Sequence, residues 1–248
     1  MTNKEKIIDA FYKVKDMKWV ESHRSNNTGV GKTFEDYVGV VENNYDRPDL
    51  FGFEIKSHRA MSVSYVTLFT KSPSYPSNAN AYLKDKFGEC YEGTTMKKIH
   101  TSMFANSFNN FLGKYSFKLE NDVNEQKVYV VVYTHGGKDL IDKSVYYTYD
   151  DIETILHKKL KNLFLVLAQS RYNSVGNECF YFNSAEIYTN PSLRNFLTLM
   201  DNGDIMYDIR MGCYQSGTKI GKPHDHGSGF RIKECNIFKL YESKEKVL

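Results

Sequence analysis

The sequence predicts an α+β fold, a mixed central sheet flanked by helices and split into two lobes around a cleft. Three observations predict it. The first third of the chain places helix-period stretches beside short strands, and most of the text beyond Thr101 is strand-like, rich in β-branched and aromatic residues. Two helical stretches interrupt that strand-rich region, so helices and strands are mixed throughout. With 248 residues, 41% of them hydrophobic, the chain can bury one large core or two. The expected organisation is a single bilobed domain over 1–248, with roughly 1–110 mainly in one lobe and roughly 111–248 mainly in the other.

The elements follow in order. From Lys4 to Met17, Ile7, Ile8, Phe11 and Val14 recur at three- and four-residue spacing, the mark of an amphipathic helix. A polar loop from Glu21 to Gly31 precedes a short helix that Thr33 can cap, with Phe34, Tyr37 and Val38 on one face and Glu35 near its first turn. The strand Phe53 to Lys56 comes next, then Ser62 to Thr70 as a second strand and Asn78 to Phe87 as a short helix. Further strands are read at Tyr115–Glu120, Lys127–Tyr133, Val145–Tyr149, Leu163–Ser170 and Glu178–Thr189. Asp151–Leu160 and Pro191–Met200 are read as helices, Pro191 suiting a first helical turn. Gly203–Met211 reads as a strand, followed by a basic, Gly-rich loop and a short strand at Phe230–Ile232.

The longest purely apolar run, Leu163 to Ala168, falls far short of the ~20 residues that cross a bilayer. The N-terminus has no apolar signal core, and Cys90, Cys179, Cys213 and Cys235 show no close pairing, so the expectation is four free thiols in a reducing cytoplasm. The net charge of +3 is too small to announce a nucleic-acid partner, but its distribution is uneven. Between Ile209 and Lys233 stand five cations (Arg210, Lys219, Lys222, Arg231 and Lys233) against the single acid Asp225, with five glycines. Such a segment suits a loop laid against a phosphate backbone, although a solvated surface loop has the same composition.

Asp49, four residues, then Glu54-Ile55-Lys56 is the first candidate for chemistry. Alternation along a strand sends Glu54 and Lys56 to one face and Phe53 and Ile55 to the other, while Gly52 lets the chain bend so that Asp49 comes round beside Glu54. Two carboxylates are what Mg²⁺ takes from a protein when phosphate and water complete its shell. In that reading the metal on Asp49 and Glu54 acidifies the attacking water and neutralises charge on a phosphate. Lys56 orients the water and stabilises the transition state, and Glu35 supplies a third carboxylate. The plain alternative is an exposed Glu54–Lys56 ion pair worth under ~1 kcal/mol.

Gly29-Val30-Gly31-Lys32-Thr33 is not a phosphate-binding P-loop, because the glycine required five residues before Gly31 is Asn26. His224-Asp225-His226 admits a zinc reading, yet a surround of Arg210, Tyr214, Lys219, Lys222 and Arg231 favours DNA: Arg, Lys and His can donate to guanine O6 and N7, and Asp can accept from cytosine N4. A turn held by Asp225 is the structural alternative. His100, His135 and His157 stand apart from these clusters.

Gly31-Lys32-Thr33-Phe34-Glu35-Asp36, Pro48-Asp49 with Glu54-Ile55-Lys56, Thr67 to Pro73, Asn183-Ser184-Ala185, Asp201 to Ile205 and His224 to Gly227 with Phe230-Arg231-Ile232 occur in an order that resembles the MvaI/BcnI family of type II restriction endonucleases. The resemblance implies a PD-(D/E)xK nuclease fold related to MutH, with a catalytic lobe (roughly 1–110) and a DNA-recognition lobe (roughly 111–248). It implies Mg²⁺-dependent cleavage of double-stranded DNA at a pseudo-palindromic five-base-pair CC-N-GG-type site by a monomer that nicks the strands in turn, in a host carrying a cognate DNA methyltransferase. The family's active-site pattern falls on Glu35, Asp49, Glu54 and Lys56, and its base-recognition pattern on Asp208, Arg210, Tyr214, His224, Asp225, His226 and Arg231. Lys71, Lys219 and Lys222 are backbone candidates, and Tyr207 and Cys213 depart from the family within the recognition segment. A partner-activated repair nickase and a DNA-binding protein with a dead nuclease core are the competing readings.

Overall fold

The structure, a computed structural model of the chain, describes residues 1–26, 28–40, 49–59 and 65–247. It is mixed α+β, and its contacts divide the chain into two compact units. The first comprises 1–64, 155–192 and 237–248, and the second 65–154 and 193–236. The division therefore does not fall near residue 110. The strand that pairs with the Glu54 strand comes from far downstream, and the first unit is assembled from three stretches of sequence.

Helix α1 (Asn3–Asp16) opens the first unit. Thr2 and Glu5 close its N-terminus as a reciprocal capping box, and Ile7, Phe11 and Val14 are buried, as the spacing predicts. Strand β1 (Trp19–Glu21) follows, then α2 (Gly29–Tyr37). That helix begins one turn earlier than expected, and Thr33 is no cap. The Thr33 hydroxyl is buried, donating to the Gly29 carbonyl at 2.7 Å and accepting from the His23 N–H at 2.9 Å. Gly29 is required by packing: a Cβ there would run into the Arg24 carbonyl oxygen and lie 2.7 Å from Ser22 Oγ.

Strand β2 (Glu54–Arg59) lies at the edge of a mixed five-stranded sheet. It runs parallel to β9 (Asn162–Tyr172), which is antiparallel to the long β10 (Glu178–Pro191). Both β1 and β14 (Tyr241–Val247) pair with β10. Pro191 is thus the last residue of a strand opposite Tyr241, and not the start of a helix. Phe11, Phe34, Ile55, Phe164, Phe180 and Phe182 fill the core of this unit between α1, α2 and the sheet.

The second unit carries a six-stranded antiparallel sheet and a three-stranded one in place of an extension of a single central sheet. The larger contains β3 (Tyr65–Thr70), β4 (Glu89–Cys90), β5 (Lys97–Met103), β11 (Ile205–Cys213), β12 (Pro223–Asp225) and β13 (Gly229–Lys233). The smaller is β6 (Tyr115–Asp122), β7 (Lys127–Thr134) and β8 (Leu140–Thr148). Helices α3 (Ala79–Phe87) and α5 (Leu193–Asp201) pack on β11, while α4 is Tyr149–Lys159. An aromatic cluster of Phe69, Tyr147, Phe196, Tyr207 and Phe230, with ring centroids 5.0–5.9 Å apart in contacting pairs, sits beneath the sheet. Ser62, Val63 and Ser64, expected to begin β3, lie outside the described residues, as does Pro48. No helix among the described residues is long and apolar enough to cross a membrane, and the four cysteines are free.

Candidate active site and nucleic-acid face

In the first unit a tight turn precedes β2. Leu50 and Phe53 exchange backbone hydrogen bonds at 3.1 and 2.9 Å, and the two residues between them, Phe51 and Gly52, both have positive φ, +51° and +81°. That is the type I′ geometry that folds a chain straight back on itself. It brings Asp49 alongside the strand, where Asp49 Oδ2 accepts the Ile55 N–H at 2.7 Å. Lys56 Nζ donates to Glu54 Oε1 at 2.5 Å, and the two side chains are only 26% and 12% exposed. The ion pair is real, but it is not the solvated one of the plain alternative.

The electrostatics match this crowding. Burial pushes the Glu54 carboxyl above its ordinary pKa against the pull of Lys56, and the nearby charge of Asp49 adds to the rise. Burial works against the charged Lys56, yet the carboxylates of Glu54, Asp49 and Glu35 hold its pKa above normal. Glu35, in the last turn of α2, lines a cavity of about 270 Å³ together with Lys56, Arg24, Lys32 and His58. The four residues singled out from the sequence are therefore one electrostatic group.

His58 is the member that sequence reasoning missed. It follows Glu54 and Lys56 at the same two-residue period on β2, which was the available signal. Burial, with the charges of Lys56 and Arg59 beside it, pushes its pKa down to about 4, so it is neutral at physiological pH.

Asp49 and Glu54 fit a magnesium ion by their chemistry. Each has one oxygen taken by a protein donor, Asp49 by the Ile55 N–H and Glu54 by Lys56, with the second oxygen outside those bonds. Among the described residues no three His, Cys, Asp or Glu side chains are gathered as a metal cage. A hard cation that draws most of its shell from phosphate and water needs none.

The seven expected recognition residues lie in the second unit, on β11, β12, β13 and their loops. Tyr214 stacks on His224 with ring centroids 4.2 Å apart and planes at 8°, and His224 lies 4.1 Å from His226. Arg210 is exposed. Asp208 is 6% exposed, and its Oδ2 receives Arg210 Nε at 2.7 Å and lies 2.8 Å from Arg231 Nε. Its Oδ1 accepts the Ser102 hydroxyl at 3.2 Å. Asp208 thus lies between the two arginines with both of its oxygens engaged inside the protein.

Asp225 is also engaged internally, which favours the turn reading raised by the sequence. Oδ1 accepts the N–H groups of Gly227 and Ser228 at 3.0 and 2.6 Å, and Oδ2 accepts Asn80 Nδ2 at 2.8 Å. Asn80, buried on α3, accepts the Tyr207 hydroxyl at 2.7 Å. Tyr207 is fully buried, where desolvation holds its phenol above its ordinary pKa, and Cys213 is buried as well. Of the backbone candidates, Lys71 pairs with Asp151 at 3.0 Å, Lys219 lies 5.4 Å from the Tyr214 ring centre, and Lys222 is exposed on the loop before β12. His100, read as standing apart, lies across from Arg210 on β5.

Comparison with known proteins agrees with the geometry. The family model described as the MvaI/BcnI restriction endonuclease family matches residues 8–241. Comparison with curated protein sequences gave no match. Two solved structures are similar along their whole length. The first, the restriction endonuclease MvaI–cognate DNA substrate complex, is 36% identical at a TM-score of 0.85, covering 98% of this chain and 97% of that one. The second, restriction endonuclease MvaI in the absence of DNA, is 34% identical at a TM-score of 0.68, covering 100% and 98%. The chain belongs to the MvaI/BcnI restriction endonuclease family and is a type II restriction enzyme, a site-specific deoxyribonuclease.

Proposed function

We propose that this enzyme is a Mg²⁺-dependent endonuclease that cuts double-stranded DNA at a pseudo-palindromic five-base-pair site of the CC-N-GG type. It acts as a monomer that nicks one strand and then the other, leaving 5′-phosphate ends, in the cytoplasm of a host whose cognate methyltransferase protects the same site. The observation that carries the proposal is the gathering of Asp49, Glu54 and Lys56 by one turn and one strand, with Glu35 lining one cavity together with Lys56.

Asp49 and Glu54 would hold the metal, whose charge offsets that of the phosphate and makes water a better nucleophile. Lys56, kept protonated by three carboxylates, donates to the attacking water or to a phosphoryl oxygen and stabilises charge as it builds. Glu35 holds Lys56 in its charged form and supports the site from α2. Neutral His58 is placed to accept or donate a hydrogen bond on the same face. In the second unit Arg210, Arg231, Tyr214, His224 and His226 contact the bases, oriented by Asp208 and Asp225, while Lys71, Lys219 and Lys222 meet the backbone. An odd-length site suits a monomer, since its central pair breaks two-fold symmetry and one chain can read the halves with different residues.

Supercoiled plasmid incubated with the purified enzyme and Mg²⁺ is the test. Nicked circles should precede linear product, with ends mapping to one five-base-pair sequence. Glu54→Ala and Lys56→Ala should abolish cleavage while leaving specific binding in place. Undiminished turnover in either variant would remove the proposed site, and cleavage that needs a second protein would make the enzyme a partner-activated nickase.

A further inference from the structure

The face that carries Arg210 and His226 continues onto β5, a strand that contributes none of the recognition residues named so far. Antiparallel register places His100 directly opposite Arg210 and Ser102 opposite Asp208, so both β5 side chains stand on the arginine face of the sheet. Ser102 is used there, donating to Asp208. His100 is exposed, and its ring centre lies 6.0 Å from that of His226, edge to face at 81°. His226 is itself fixed. Its N–H donates to the Arg210 carbonyl at 2.8 Å, and its ring lies over Gly212, where a Cβ would come within 3.5 Å of Nε2. His100 and His226 therefore stand together with Arg210 on one face, the two imidazole rings 6.0 Å apart.

From this arrangement we infer that His100 is a specificity-determining residue, one that donates a hydrogen bond to the major-groove edge of a guanine beside the base taken by His226. The inference rests on reading this face as the base-contacting surface. Its chemistry favours a base over a phosphate. Burial, with the charges of His226, Lys98 and Arg210 around it, holds the His100 imidazole below its ordinary pKa. A neutral ring keeps one N–H to give to guanine N7 or O6, and it gains little from a phosphate, which prefers a cation.

The experiment measures binding of the whole enzyme, without divalent metal, to duplexes carrying the site mapped by cleavage. Each guanine is replaced in turn by 7-deazaguanine, which lacks N7, or 2-aminopurine, which lacks O6. The wild type should lose about tenfold or more at the guanine in question. His100→Ala should lose as much on the unmodified duplex and then show less than about twofold further loss at that one guanine, while His226→Ala stays sensitive there. If His100→Ala remains as sensitive as the wild type at every guanine while His226→Ala goes blind to one, His100 makes no base contact and this inference alone is overturned. If both variants match the wild type everywhere, the base-contacting reading of the face falls with it. His100 is exposed, so its truncation leaves the sheet intact, and a circular dichroism melt confirms this for the variant used.

Discussion

Asp208→Asn tests whether a buried carboxylate sets the aim of both recognition arginines. The amide keeps the shape and removes the charge that Arg210 and Arg231 share through Oδ2. Arg210 is 47% exposed, so its half of the interaction is worth under about 1 kcal/mol, on the scale of surface pairs. Arg231 is 12% exposed, and burial together with the like charge of Arg210 already depresses its pKa. Leaving such a guanidinium without its partner costs about 3–5 kcal/mol when burial is complete. The amide oxygen restores about 1 kcal/mol by accepting one N–H, so the expected loss of folding stability is about 2–3 kcal/mol, read as the shift of the urea midpoint at constant slope.

Binding should move in two directions. Random duplex should bind slightly tighter at low salt, because the formal net charge rises from +3 to +4 on a basic face. The cognate site should bind about 10–100-fold more weakly, since arginines that wander no longer present a fixed fork to guanine. An unshifted midpoint with an unchanged ratio of cognate to random affinity would refute the orienting role.

Three further outcomes are expected. Gly29→Ala should destabilise by about 1–2 kcal/mol despite the better helix propensity of alanine, because the methyl meets the Arg24 backbone, and it should slow cleavage by displacing the start of the helix that carries Glu35. Thermal melts and single-turnover cleavage check the two parts. Burial pushes the Glu234 carboxyl from the ordinary 4.5 up to about 7. A carboxyl raised by folding favours the native state below the unfolded pKa, and that advantage is lost as pH climbs from about 4.5 through about 7. The ceiling is about 3 kcal/mol, and with the side chain half-buried about 1–2 kcal/mol is expected. Glu234→Gln should flatten that part of the stability profile, which melting temperatures from pH 4.5 to 8 would show. Finally, His224→Ala should lose about 1–3 kcal/mol of discrimination at one base pair, whereas equal losses on cognate and random DNA would make His224 a backbone contact.

The proposed catalytic group was legible in the sequence because it is local. A glycine, a strand period of two and a fixed spacing place Asp49, Glu54 and Lys56, and nothing distant is needed. The long strands β6, β7, β9 and β10 were legible for the same reason, as was α1 through the spacing of Ile7, Ile8, Phe11 and Val14. Strand β14 was not, because Tyr241-Glu-Ser-Lys-Glu-Lys-Val is exposed at every position but the two ends and carries no alternating apolar face. Strand β5, Lys-Lys-Ile-His-Thr-Ser-Met, lacks a clear period, and with it His100 was set aside. Asp208 and Asp225 show another limit. Their placement among cations was visible, but only the fold reveals that one is buried between two arginines and the other bound to Asn80 from a helix about 145 residues upstream. Long-range pairing decides such roles, and a one-dimensional pattern holds no record of it.

The chain passes between its two units four times, near residues 64, 154, 192 and 236. Specificity in such a molecule cannot travel as a cassette. The stretch from Leu193 to Asn236 holds nearly all of the proposed recognition residues, yet its strands close only against β3 and β5, which are encoded more than a hundred residues earlier. A transplanted 193–236 segment would arrive with its sheet edges open. New target sequences in this scaffold must therefore arise by replacement of single side chains on a retained frame, and recombination at one or two breakpoints should yield unfolded chains more often than altered enzymes.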